Sequence, residues 1–170
     1  DGARSLLAMV GLERALAELE AAFREVGVEP GMITGQIFAL AASSAPGACL
    51  LVQQEQGFLS LLLAEAGVHR LMRTKHLASS GPLAETVRRE LGLTLGYIRE
   101  TLGIDGELGV EVFAENPALG REIEDWRAAQ TGVSALPVRP TPAFAVSGAE
   151  ARLGAARIQP MWAMIAEERP

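Results

Sequence analysis

The sequence predicts a mixed α/β fold, and three observations carry that prediction. Three apolar segments of strand length, residues 48–54, 58–64 and 68–74, follow one another with only Glu55-Gln56-Gly57 and Glu65-Ala66-Gly67 between them. Short glycine-bearing connections of this kind mark successive hairpins. Directly afterwards the apolar spacing turns helical, at Leu83, Val87, Leu91, Leu95, Ile98 and Leu102, the period of one buried helix face. Finally, 170 residues that are 49% hydrophobic and 21% charged are the size and composition of one globular domain. Five Phe, two Trp and one Tyr leave the core to be built from aliphatic side chains.

The elements follow in order. Residues 5–10 read as a short buried strand, and from Gly11 the spacing becomes helical, with Leu12, Leu16, Leu19, Phe23 and Val26 on one face. Gly27 ends that helix, and Val28-Glu29-Pro30-Gly31 turns the chain into an apolar segment over residues 32–40. The opening is thus expected to be a β-α-β unit. Ser43-Ser44-Ala45-Pro46-Gly47 is the most loop-like stretch of the first third, which places a boundary between a first unit, 1–45, and a second, 46–170.

Within the second unit the three-strand meander leads into Ser79-Ser80-Gly81-Pro82. These residues supply capping hydroxyls and a first-turn proline for the long helix that follows, with Glu85 near its positive end. Gly92 and Gly96 in that helix remove bulk and are expected to admit a neighbouring backbone. Gly103 stops the helix, residues 108–113 form a strand, and Pro117 opens a helix bearing Leu119, Ile123 and Trp126. After Gly132 come a short strand-like segment from Val133 to Val138, a proline-punctuated loop over 137–148, and a last helical region with Met161, Trp162 and Ile165. No repeat of fixed period is present. From residue 48 the order is β-β-β-α-β-α-β-α, that of the ribonuclease H-like fold, which is also each half of the actin-like ATPases.

Composition excludes several functions. Fifteen basic against twenty-one acidic residues give a net charge of −6 and a pI near 5.0, the wrong sign for a surface that neutralises nucleic-acid phosphates. Cys49 is the only cysteine, so intrachain disulfides, CxxC redox chemistry and thiolate zinc sites are ruled out, and a reducing compartment is expected. The apolar runs fall far short of the roughly 20 residues that span a bilayer. The first residues, Asp-Gly-Ala-Arg, carry no initiator Met and no secretory pattern, as expected of part of a longer protein. Fourteen of the fifteen basic residues are Arg, which with the abundance of Ala, Gly and Leu suggests a GC-rich bacterial coding sequence.

Catalytic chemistry finds little support. A ribonuclease H-like nuclease holds two divalent metals with carboxylates that start on its first strand. Here that strand offers Gln53 and Gln54, and the chain has three Asp, at 1, 105 and 125. Glu55 and Glu65 lie at hairpin turns, where solvated acids are ordinary. An actin-like ATPase sets a Gly-rich Asp-x-Gly turn between its first two strands so that backbone N–H groups close on phosphate. The matching Gln53-Gln54-Glu55-Gln56-Gly57 lacks the Asp and puts a carboxylate where phosphate would approach. No GxxxxGK[ST], GxGxxG or GxSxG motif occurs. His69 and His76 are too far apart in sequence for one catalytic pair, Cys49 reads as a buried thiol, and Trp126 and Trp162 read as core. The one basic cluster is Arg70, Arg73, Lys75 and His76, just ahead of a helix start. It is the candidate site for an anion or an acidic partner, the plainer alternative being charges that blunt a sheet edge.

The segments LERALAELEAAFREVGVEP, GMITGQIFALA, CLLVQQEQGFLSLLLAEAGVHRLMRTKHL and LAETVRRELGLTLGYIRETLG resemble the second half of the PilM-type actin-like proteins of type IV pilus assembly. They are similar, too, to the MshI proteins and to the actin-like cytoplasmic part of type II secretion GspL proteins. The corresponding residues are the helix end Gly27-Val28-Glu29-Pro30, the second phosphate turn Gln53 to Gly57, an Arg-bearing third strand with Arg70 or Arg73, and the pattern from Glu90 to Tyr97. The resemblance covers roughly residues 10 to 165.

The resemblance implies a non-enzymatic cytoplasmic scaffold at the inner membrane face that docks the cytoplasmic tail of an inner-membrane assembly protein. It also allows homo-oligomers and implies no direct membrane insertion. The degenerate turn implies no bound cofactor, and residues 1–45 become a remnant of the preceding subdomain. Arg70, Arg73, Lys75 and His76 are the expected partner-binding residues. The alternative is the nucleotide-binding half of an actin-like ATPase or sugar-kinase-like enzyme.

Overall fold

The computed structural model describes residues 11–29, 35–41, 47–77 and 82–136. The expected strand at 5–10, the cap at Ser79-Ser80, the loop at 137–148 and the last helix with Trp162 lie outside them. The chain divides into two units, Asp1–Gly35 and Gln36–Pro170.

In the first unit, α1 spans Glu13–Glu25. Its polar side is tied by two i,i+4 pairs, Arg14 with Glu18 at 2.8 Å and Glu20 with Arg24 at 2.9 Å. Such exposed pairs contribute a few tenths of a kcal/mol each. Gly27, at φ +77°, ends the helix where the sequence predicts.

The second unit is a five-stranded mixed sheet: β1 (Ala48–Glu55), β2 (Phe58–Glu65), β3 (Val68–His76), β4 (Leu108–Ala114) and β5 (Val133–Ala135), in the order β3-β2-β1-β4-β5. The pairs β1·β2 and β2·β3 are antiparallel, whereas β4 runs parallel to both β1 and β5. Both hairpins turn on two residues at positive φ, Gln56-Gly57 and Ala66-Gly67, the geometry that matches the right-handed twist of the flanking strands.

Helices cover both faces. On one, α3 (Leu83–Glu100) and α4 (Pro117–Ala128) bury Val87, Leu91, Ile98, Leu119, Ile123 and Trp126 against Leu50, Val52, Leu59, Leu61 and Leu63. On the other, α2 (Gln36–Ala41) sets Ile37 and Leu40 against Cys49, Leu51, Leu62 and Phe113. Double coverage explains why residues 49–52 are continuously apolar, and Cys49 is the buried thiol the sequence suggests.

Three expectations are corrected. Residues 36–41 are helical where the β-α-β reading extends a strand to Leu40. Ile37 and Leu40, three apart, share one buried helical face, and a short apolar run does not by itself separate strand from helix. Pro82, expected in the first turn of α3, stands instead at its N-cap position. At Gly92 and Gly96, no described atom lies within 4 Å of where a Cβ would stand, so no close backbone approach occurs there among the described residues. Replacing both by alanine is expected to stabilise the fold by about 1–2 kcal/mol, since glycine inside a helix costs about 1 kcal/mol relative to alanine. A urea titration reads this directly, and an unchanged midpoint would overturn it.

Candidate functional site

Two places carry the sequence-derived candidates: the β1–β2 turn and the edge strand β3. At the turn, Gln53 and Gln54 are buried. The Gln54 backbone carbonyl accepts from the Glu115 N–H at 2.9 Å, and its side-chain Oε1 accepts from the Asn116 N–H at 2.9 Å. Asn116 Oδ1 in turn accepts from the Ala118 N–H at 2.9 Å, capping α4. The Gln56 N–H, a turn donor that a phosphate would use, instead donates to the Glu115 carboxylate at 2.9 Å. Gln53 Nε2 donates to Glu55 Oε2 at 3.1 Å. Donors and charge are therefore both arranged against an anion at this turn.

Glu115 is the residue that reading along the chain missed. It lies 59 positions from Gln56, and only the parallel pairing of β1 with β4, Gln54 opposite Ala114, brings the two loops together. No local signal announces it.

The basic cluster is redistributed by the sheet. β3 continues to His76, two residues past its expected end, so Lys75 and His76 stand on the strand and not in the connection after it. Leu61 and Leu59, opposite Arg73 and Lys75, belong to the core under α3, which puts Arg73 and Lys75 on the α3 face. His76 takes the other face, where its ring stands 5.1 Å from Phe58. His69 meets Phe38 at 5.5 Å, at the opposite end of the strand. Arg70 falls at the register shift between Leu63 and Ala64, the position of a bulge, with Glu65 3.6 Å away.

Arg73 reaches the side chain of Glu90 on α3, which is 4% exposed and has Arg89 Nη2 at 3.6 Å. Thr94 Oγ1 donates to the Glu90 carbonyl at 2.8 Å, which satisfies a buried hydroxyl within the helix. Lys75 has no ion-pair partner among the described residues. Among those residues no three His, Cys, Asp or Glu side chains form a group that could hold a metal ion, and no helix is long and apolar enough to cross a membrane.

No protein-family model and no curated protein matches the sequence. Among solved structures, a chain of a PilM-PilN type IV pilus biogenesis complex superposes with a TM-score of 0.53 at 19% identity. The fold is PilM-like. The match covers 93% of this chain and 59% of that one, so this chain spans less than two thirds of the length of the chain it matches. At such identity the likeness concerns the path of the backbone: a mixed sheet with helices on both faces.

Proposed function

We propose that this chain is a non-enzymatic cytoplasmic scaffold of a bacterial type IV pilus or type II secretion platform, held at the inner membrane face by docking the cytoplasmic tail of a membrane protein. The observation that carries the reading is the β1–β2 turn, whose Gln56 N–H is occupied by Glu115 within a PilM-like fold. The strand order β3-β2-β1-β4-β5 supports placing the sheet unit in the ribonuclease H-like class, as one actin-like half. A turn that spends its donor on a carboxylate has no use for ATP, which leaves surfaces as the working parts. The solved relative is a complex of two pilus biogenesis proteins, and that supports a protein partner.

Titration calorimetry of Mg-ATP against this chain, and against its longest natural form, tests the reading. The 170-residue chain is expected to give no binding heat up to millimolar nucleotide. Tight binding by it would overturn the scaffold reading. Titration of synthetic cytoplasmic tails from inner-membrane pilus or secretion proteins is expected to show saturable binding, and its absence for every tail would equally count against the proposal.

A further inference from the structure

The edge strand β3 has an outer side that pairs with no other strand among the described residues. In a two-residue hairpin the residues flanking the turn form a hydrogen-bonded pair, and bonded pairs alternate along the ladder. Glu65 opposite Val68 is such a pair. Past the bulge, the pairs of Leu63, Leu61 and Leu59 with Leu71, Arg73 and Lys75 then direct those three β3 backbones toward β2. The backbone N–H and C=O groups of Met72, Thr74 and His76 are left pointing outward. Three consecutive outward positions are enough to anchor a short added strand.

The side chains beside this edge define what fits it. Glu90, tied to Arg73, identifies the flank of α3 that faces β3, and positions three and seven further along lie on the same stripe of a helix. Those positions are Leu93 and Tyr97, large apolar side chains 56% and 44% exposed. Beside them stand four cations, Arg70, Arg73, Lys75 and Arg89, with Glu65 and Glu90 paired among them and Glu100 further along the helix stripe, a small local positive excess on a chain of net charge −6. A second copy's β3 would set like charges opposite each other, which opposes edge-to-edge dimers. An acidic strand is attracted instead.

We infer that the outer edge of β3 receives an extended acidic segment of a partner protein as a sixth strand, with carboxylates toward Arg73 and Lys75 and apolar side chains over Leu93 and Tyr97. This deepens the scaffold reading and rests on it for the partner being a protein.

The probe is a fluorescein-labelled peptide, Glu-Thr-Glu-Thr-Leu-Thr-Leu, with its reversed sequence for the opposite strand direction and a Lys-for-Glu version as charge control. Residue-resolved amide exchange on the full chain is the primary readout. In the free chain the amides of Met72, Thr74 and His76 are expected to exchange freely while those of Arg73 and Lys75 are protected. Saturating acidic peptide in one of the two directions is expected to slow the first three at least tenfold. Lys75→Glu and Leu93→Asp, both surface changes, are each expected to weaken binding by anisotropy about tenfold, and the lysine peptide is expected not to bind.

Protection of the three amides in the free chain would mean that the edge is already covered, and would overturn the inference. So would acidic-peptide binding that leaves those amides exchanging, or no binding in either direction. If a membrane-protein tail binds without protecting them, the scaffold stands and the β3 site falls. If the acidic probe protects them and no tail binds, the site stands and the scaffold reading falls.

Discussion

Leu91→Ala is expected to lower the unfolding free energy by about 3–4 kcal/mol, whereas Leu93→Ala, two residues away on the same helix, is expected to change it by no more than about 0.5 kcal/mol. Both are leucines in the same turn region of α3. Leu91 is fully buried against the sheet within the cluster of Leu50, Leu61 and Leu63, while Leu93 is 56% exposed. Truncating Leu91 removes methyl contacts from a close-packed layer and leaves a cavity that the surrounding β-strands can fill only in part. Truncating Leu93 removes a side chain more than half of whose surface already meets water. Urea denaturation with a common slope for all variants measures the difference. Equal losses at the two positions would show that α3 is rotated relative to the sheet. A neutral Leu93→Ala that also loses the acidic peptide would separate a docking residue from a structural one.

Arg73→Ala is the second large effect, expected to cost about 2–3 kcal/mol. Glu90 is 4% exposed and Arg73 40%, so removing the arginine strands a carboxylate that water cannot reach, with Arg89 3.6 Å away as a weak substitute. Breaking a fully buried pair from one side costs about 3–5 kcal/mol, and the half-exposed arginine puts this pair lower. The double variant Arg73→Leu with Glu90→Leu is expected to recover most of that loss, because no buried charge remains. Its coupling energy should be about 1–2 kcal/mol by a double-mutant cycle. Strict additivity would mean that the two side chains do not depend on each other.

The pair also explains why an arginine stands mid-strand in the half-buried stretch Leu71 to Arg73. Along the sequence, Arg73 is one member of a basic run with Arg70, Lys75 and His76. In the fold it is the anchor that sets one flank of α3 over β3, and Lys75 beside it is left to solvent. Sequence alternation alone would have separated His76 from Lys75. It could not have separated Arg70, because the bulge at Leu63/Ala64 interrupts the period of two on which that argument depends.

Hydrophobic period and glycine placement were sufficient to read the meander, the α3 and α4 helices and the strand between them. These signals are local: alternation, i,i+3/i+4 spacing and positive-φ positions such as Gly57, Gly67 and Gly103 report on backbone geometry within a few residues. That Gln53 to Gly57 lack the Asp of an Asp-x-Gly turn was legible in the same way. The short helix α2 was not, because Ile37 and Leu40 show their helical phase only through the surfaces they bury. Glu90 was not legible either, as a glutamate inside a helix reads as solvated until a partner 17 residues away is seen to reach it.

What the sequence determined by itself is the mixed α/β class and the order of the elements from β1 to β5. Tertiary structure alone decided that Glu115 closes the β1–β2 turn, that Arg73 is spent on Glu90, and that β3 lies at the edge of the sheet among the described residues. The first set depends on neighbours within one or two turns of chain. The second depends on strand pairing and helix packing, which join residues from 14 to 62 positions apart and whose register no local period encodes.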